Sequence, residues 1–85
     1  MEKVIYVLRY VSKENNALSS AIMTVSTDEL AVKTEMQMDF EEDIHELKEK
    51  YDVDSFRYRT SEYAMSAYGH NIEIHYTITK HIITI

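Results

Sequence analysis

A chain of 85 residues with a formal charge of −6 allows one compact domain, spanning 1–85, and little else. With no cysteine, no proline and a single glycine (Gly69), it has no disulfide framework, thiolate zinc site, cysteine nucleophile or Gly-rich phosphate loop. Ile, Val, Leu and Phe supply 21 residues, above the level of disordered chains, and no apolar run approaches the ~18 residues that would span a membrane.

The opening Met1–Tyr6 has no basic region ahead of an apolar core, which predicts a cytoplasmic protein (the host cytoplasm, if a phage encodes it). Val4 to Val11 is rich in β-branched and aromatic residues and reads as a strand. Val4, Tyr6, Leu8 and Tyr10 form one face, and Ile5, Val7 and Val11 flank Arg9 on the other. A strand apolar on both faces belongs in the middle of a sheet. Lys13-Glu14-Asn15-Asn16 supplies a turn, because Asn tolerates positive φ, and a second strand from Leu18 to Ser26 completes a hairpin.

Phe40, Ile44, Leu47 and Tyr51 recur at helical spacing, and Val32 and Met36 extend the stripe backwards. The helix is read over 39–50 and back to about 29, with Ser26/Glu29 or Asp39/Glu42 as the capping box. The competing reading makes Glu29 to Glu35 a short strand, since Met38 points to solvent on the long helix. Val53 to Thr60 and Glu62 to Tyr68 read as extended, and Gly69-His70-Asn71 as a turn. Ile72, Ile74, Tyr76 and Ile78 then share one face of a last strand. The phase breaks at Lys80, and a bulge near Thr79-Lys80 would return Ile83 and Ile85 to the core. The expected fold is α+β: an antiparallel sheet of four or five strands with one amphipathic acidic helix on one face, ββαββ-like.

Charge is segregated. Nine acids and three lysines lie between Asp28 and Lys50, so the whole net charge falls on the helical segment. Glu35, Asp39, Glu42, Glu46 and Glu49 line one side of the helix, with Asp43 and Tyr51 beside them. Over 14 residues that ridge runs for about 21 Å, and like charges at these spacings cost roughly 0.2–0.5 kcal/mol per pair. A solvated, solubilising face explains such a ridge, and so does a negative surface that mimics nucleic acid and competes for lysines and arginines. The second reading makes these seven residues the partner-binding set.

Other chemistry finds less support. His75 and His81 share a strand face but stand roughly 20 Å apart, and Glu42-x-x-His45 has no second copy, so no metal site or cofactor is expected. No nucleophile elbow or cleft-forming carboxylate pair is evident, so no catalytic residues are assigned. Phe56-Arg57-Tyr58-Arg59 interleaves aromatic and basic residues, as stacking platforms do. Alternation nevertheless puts Arg57 and Arg59 on one face and Phe56 and Tyr58 on the other, so the aromatics face the core. The arginines face solvent, where acids of a neighbouring strand or helix are candidate partners. Arg57 and Arg59 are the residues of the alternative, nucleic-acid-binding reading. One helix covers one sheet face, so Ile5, Val7 and Val11 are expected to meet a second copy or another protein.

In size, acidity, lack of cysteine, acidic helix on a small sheet and absence of catalytic motifs, the chain resembles the small inhibitors that bacteriophages encode against host defences, anti-CRISPR proteins among them. The resemblance is one of class, and no residue carries over from it. It implies sequestration of a host protein's nucleic-acid surface without chemistry. The function expected is a non-catalytic inhibitor or adaptor, and the rivals are a small nucleic-acid-binding domain and a homo-oligomeric structural subunit.

Overall fold

In the computed structural model, which describes residues 1–51 and 56–84, the chain runs β1 (Glu2–Glu14), β2 (Ala17–Ser26), α1 (Glu29–Lys50), β3 (Arg57–Thr60), β4 (Ala64–Gly69) and β5 (Ile72–Thr84). The expected α+β architecture is present: one antiparallel five-stranded sheet in the order β2-β1-β5-β4-β3, with α1 packed on one face. β1 is interior, as its two apolar faces require, and pairs β5 from Glu2↔Thr84 to Glu14↔Ile72. Both hairpin turns use asparagine in the left-handed region: Asn15 and Asn16 have φ of 50° and 72°, and His70 and Asn71 have 49° and 63°. Gly69 does not supply a positive φ; it closes β4.

The core lies between α1 and the even-numbered face of β1. Leu8, Val32 and Met36 are its most enclosed side chains, and Phe40, Ala67, Ile72, Ile74, Tyr76 and Ile78 complete it. Ile44, Leu47, Tyr51, Tyr6 and Tyr10 pack around the rim, half-buried. Phe40 stands edge-on to the Tyr76 ring, centroids 6.2 Å apart. Burial therefore peaks a turn or two earlier on the helix than the Phe40–Leu47 stripe suggests, because the N-terminal half crosses the middle of the sheet.

Three expectations are corrected. The helix begins at Glu29, as read, but neither capping box forms: Asp28 caps it, accepting from the Ala31 N–H at 3.2 Å, while the Ser26 hydroxyl accepts from the Asp28 N–H. A carboxylate at this position also meets the positive end of the helix dipole. The short-strand reading of Glu29 to Glu35 is thereby excluded, and Met38 does face solvent. The bulge lies in the other ladder, where Leu8 pairs Thr24 and Arg9 pairs Ile22, leaving Met23 unopposed. β5 runs past Thr79-Lys80 without a shift, so Ile82 and Ile83 remain exposed on the two sides of a β1–β5 ribbon; Ile85 lies outside the described residues. That ribbon (Glu2–Ile5 with His81–Thr84) extends beyond the last pairings of β2 and β4 and accounts for the 50 Å long axis. The extended reading of Val53 to Thr60 is observed as β3 over Arg57–Thr60, its first part falling on residues not described.

Candidate functional site

Helical periodicity places the acidic ridge along the side of α1 that looks towards β1 and β2. At its start the Thr24 hydroxyl of β2 donates to Glu35, and a groove beside it is lined by Thr24, Ser26, Glu35, Met38 and Asp39. Further along, Asp43 and Glu46 lie beside Tyr10 and Ser12 of β1. The buried Tyr76 hydroxyl donates to Asp43. Glu42, Glu46 and Glu49 are exposed, and Glu49 stands 3.4 Å from the His45 ring. The helix thus brings six of the seven predicted residues onto one surface, although Glu35 and Asp43 also brace the fold.

Tyr51 belongs elsewhere. It ends the helix in an aromatic cluster, stacked on His70 at 5.0 Å and edge-on to Phe56 at 6.0 Å. There it clamps the helix C-terminus to the β4–β5 turn.

The carboxylates act on one another. Desolvation, then Glu35 and Glu42, push the Asp39 carboxyl above its ordinary range. Asp43 is also raised, chiefly by burial, with Glu46, Asp39 and Glu42 adding and the Tyr76 hydrogen bond opposing. A shared negative field is the physical content of the ridge.

One cluster was not visible in the sequence. Glu29 accepts from the Tyr6 hydroxyl at 3.2 Å and the Tyr63 hydroxyl at 2.5 Å, and pairs with Lys33 at 3.1 Å. Lys33 also bonds Glu62 and lies 4.6 Å from the centre of the Tyr63 ring. The Tyr63 hydrogen bond, followed by that of Lys33, holds Glu29 below the usual carboxylate range, and Glu62 first of all holds Lys33 well above its own. The four partners come from β1, α1 and the β3–β4 turn, so sequence spacing carries no signal of their meeting. The cluster ties up the first of the helix's three lysines, and the other two, Lys48 and Lys50, lie in its last turn.

Among the described residues, none forms a layer over the face opposite α1. Alternation and register put Lys3, Arg9, Lys13, Arg57 and Arg59 on it, against one acid among the paired strand residues, Glu73. None of these five bases has an ion-pair partner among the described residues, so the expected pairing of Arg57 and Arg59 with neighbouring acids does not form. Phe56 is buried as expected, whereas Tyr58 is 41% exposed beside Phe40 and Ile44 at the rim. Val7 is buried and Ile5 and Val11 half-buried by the chain itself; the exposed apolar side chains on this side are Leu18, Ile22, Val25 and Ile83.

Among the described residues no group of three His, Asp or Glu side chains is arranged to hold a metal ion, and no helix is long and apolar enough to cross a membrane. The fold defines a two-layer α+β protein with an acidic helical face and a basic sheet face. Comparison with protein-family models, curated proteins and solved structures finds no match to this chain.

Proposed function

We propose that the protein is a non-catalytic inhibitor or adaptor that presents the ridge of α1 to a basic, nucleic-acid-binding surface of a partner protein, as a phage anti-defence protein would. The observation that carries this reading is the unbalanced row Asp39, Glu42, Glu46 and Glu49 beside Glu35 and Asp43, with Lys33 engaged at the far end of the helix. A row of carboxylates on a rigid helix competes for the side chains that hold phosphates, and the class resemblance points the same way. The test recovers partners from host cells with the wild type and with Glu35, Asp39, Glu42, Glu46 and Glu49 changed to their amides. The amide variant should lose the partner, and wild-type binding should weaken with salt, since charges are screened within about 8–10 Å. A partner kept at undiminished affinity overturns the proposal.

A second reading rests on the unpaired bases of the open sheet face: Arg9, Lys13, Arg57 and Arg59 suit a phosphate backbone. Tyr68 is the one aromatic that alternation places there, which is poor equipment for base stacking. Salt-sensitive binding of a single-stranded oligonucleotide, abolished by Arg57→Ala with Arg59→Ala, would favour it over the ridge.

A further inference from the structure

The two edges of the sheet are built differently. β3 has four residues, two of them arginines, which is how sheets guard an edge against pairing. β2 has ten residues and not one charge or proline among them, although charged residues make up 28% of the chain. Its first part is exposed on both sides, with Leu18 at 72% and Ile22 at 61%. The bulge at Met23 interrupts regular pairing, so the open template is Ala17–Ile22.

We propose that this edge pairs with the same edge of a second copy, antiparallel about a twofold axis at Ser20, which joins two sheets into one of ten strands. The segment is self-complementary in that register. Leu18 lies opposite Ile22 of the second copy, and Ile22 opposite its Leu18, on the side away from the helices. Ser19 and Ala21 meet on the helix side, where their small side chains leave room. A chain of charge −6 can approach itself along this seam because the strand is neutral. Alongside the Ala17–Ile22 segment the ridge acids are Asp43 and Glu46, which lie beside β1, and the β1 strands of the two copies are about three strand spacings or ~14 Å apart, beyond the ~8 Å screening length at physiological salt. Assembly stops at two, because the edges left over are the arginine-guarded β3 strands. The seam is at the small end of specific interfaces, which are weak below about 1,200 Å² in total, so association is reversible.

Sedimentation of the full chain over a concentration series tests this. The mass should rise from 10.0 kDa to twice that value and no further, and raising salt from about 0.01 M to physiological strength should favour the dimer, because the screening length falls from about 30 Å to about 8 Å. This is the opposite of the salt effect on ridge binding, so the two proposals fail separately. Leu18→Lys and Ile22→Lys should each hold the single-chain mass, with circular dichroism unchanged because both side chains are exposed. Val25→Lys, beyond the bulge, should still dimerise. Alternate amides between Ala17 and Met23 should become protected from hydrogen exchange as concentration rises. A wild type that stays at single-chain mass, association that survives both lysine variants, or growth past the dimer would overturn the proposal.

Discussion

The hydroxyl of Tyr76, a core residue in the middle of β5, donates a hydrogen bond to the Asp43 carboxylate on the acidic side of α1. The sheet therefore fixes the rotation of the helix through a polar bond, and with it the direction in which the ridge points. Burial and the neighbouring Asp43 charge hold the Tyr76 hydroxyl far above its ordinary pKa, so it remains a donor at any physiological pH. Tyr76→Phe should cost about 1–3 kcal/mol, because it strands a half-buried carboxylate without its donor. Chemical denaturation of the two proteins measures this. Tyr76→Phe with Asp43→Leu should recover part of the loss, since both polar partners are then gone.

The pH dependence of stability follows from three groups with opposite signs. Asp39 and Asp43 are raised, so the folded state holds their protons more tightly than the unfolded chain does. Their contribution is fully present below the unfolded value, about 3.9, and is lost as pH rises through the folded values. Glu29 is lowered, so its contribution is present above the unfolded value and is lost as pH falls through the folded one. Thermal unfolding should show the contribution of the two aspartates to Tm being lost as pH rises above about 3.9 and through their folded values. Asp39→Asn should reduce that loss, and Glu29→Gln should weaken the loss on the acid side.

Core truncations should rank by position along the helix. Met36 is 1% exposed among Leu8, Val32 and the sheet, whereas Leu47 is half-buried at the rim. Met36→Ala should cost about 2–5 kcal/mol and Leu47→Ala distinctly less, because a cavity at the rim is relieved by solvent and by movement of neighbours. Equal costs at the two positions would contradict the packing described.

The ridge should separate stability from binding. Glu42→Gln with Glu46→Gln removes like-charge neighbours from exposed positions, so stability should hold or rise slightly, by roughly 0.2–0.5 kcal/mol per pair relieved, and Tm should follow. Partner binding should fall in the same variant. A fold weakened by the amides would mean that these carboxylates serve the structure.

The turn asparagines should resist β-branched replacement. Asn16 sits at φ 72°, where a Cβ-branched side chain clashes, so Asn16→Val should cost about 1–2 kcal/mol and Asn16→Gly little. Denaturation midpoints of the two variants are enough to check it.

Local rules alone determined much of this protein. Two apolar faces made β1 an interior strand, paired asparagines marked the first turn, and the 3.6-residue stripe from Val32 to Leu47 marked one long helix with the acids along its flank. These features are legible because each depends on residues within a few positions of one another. Tertiary structure decided what depends on meetings across the chain. It put the bulge at Met23 rather than at Thr79-Lys80, because the β1–β5 ladder is held in register along its whole length. It drew Glu29, Lys33, Tyr6, Tyr63 and Glu62 into one cluster from three parts of the chain. It turned Tyr51 from a neighbour of the ridge into an aromatic clamp. It also left β2 as a bare edge. Strand order is set by which faces can be buried together, and no periodicity within a single strand records which neighbours that strand will have.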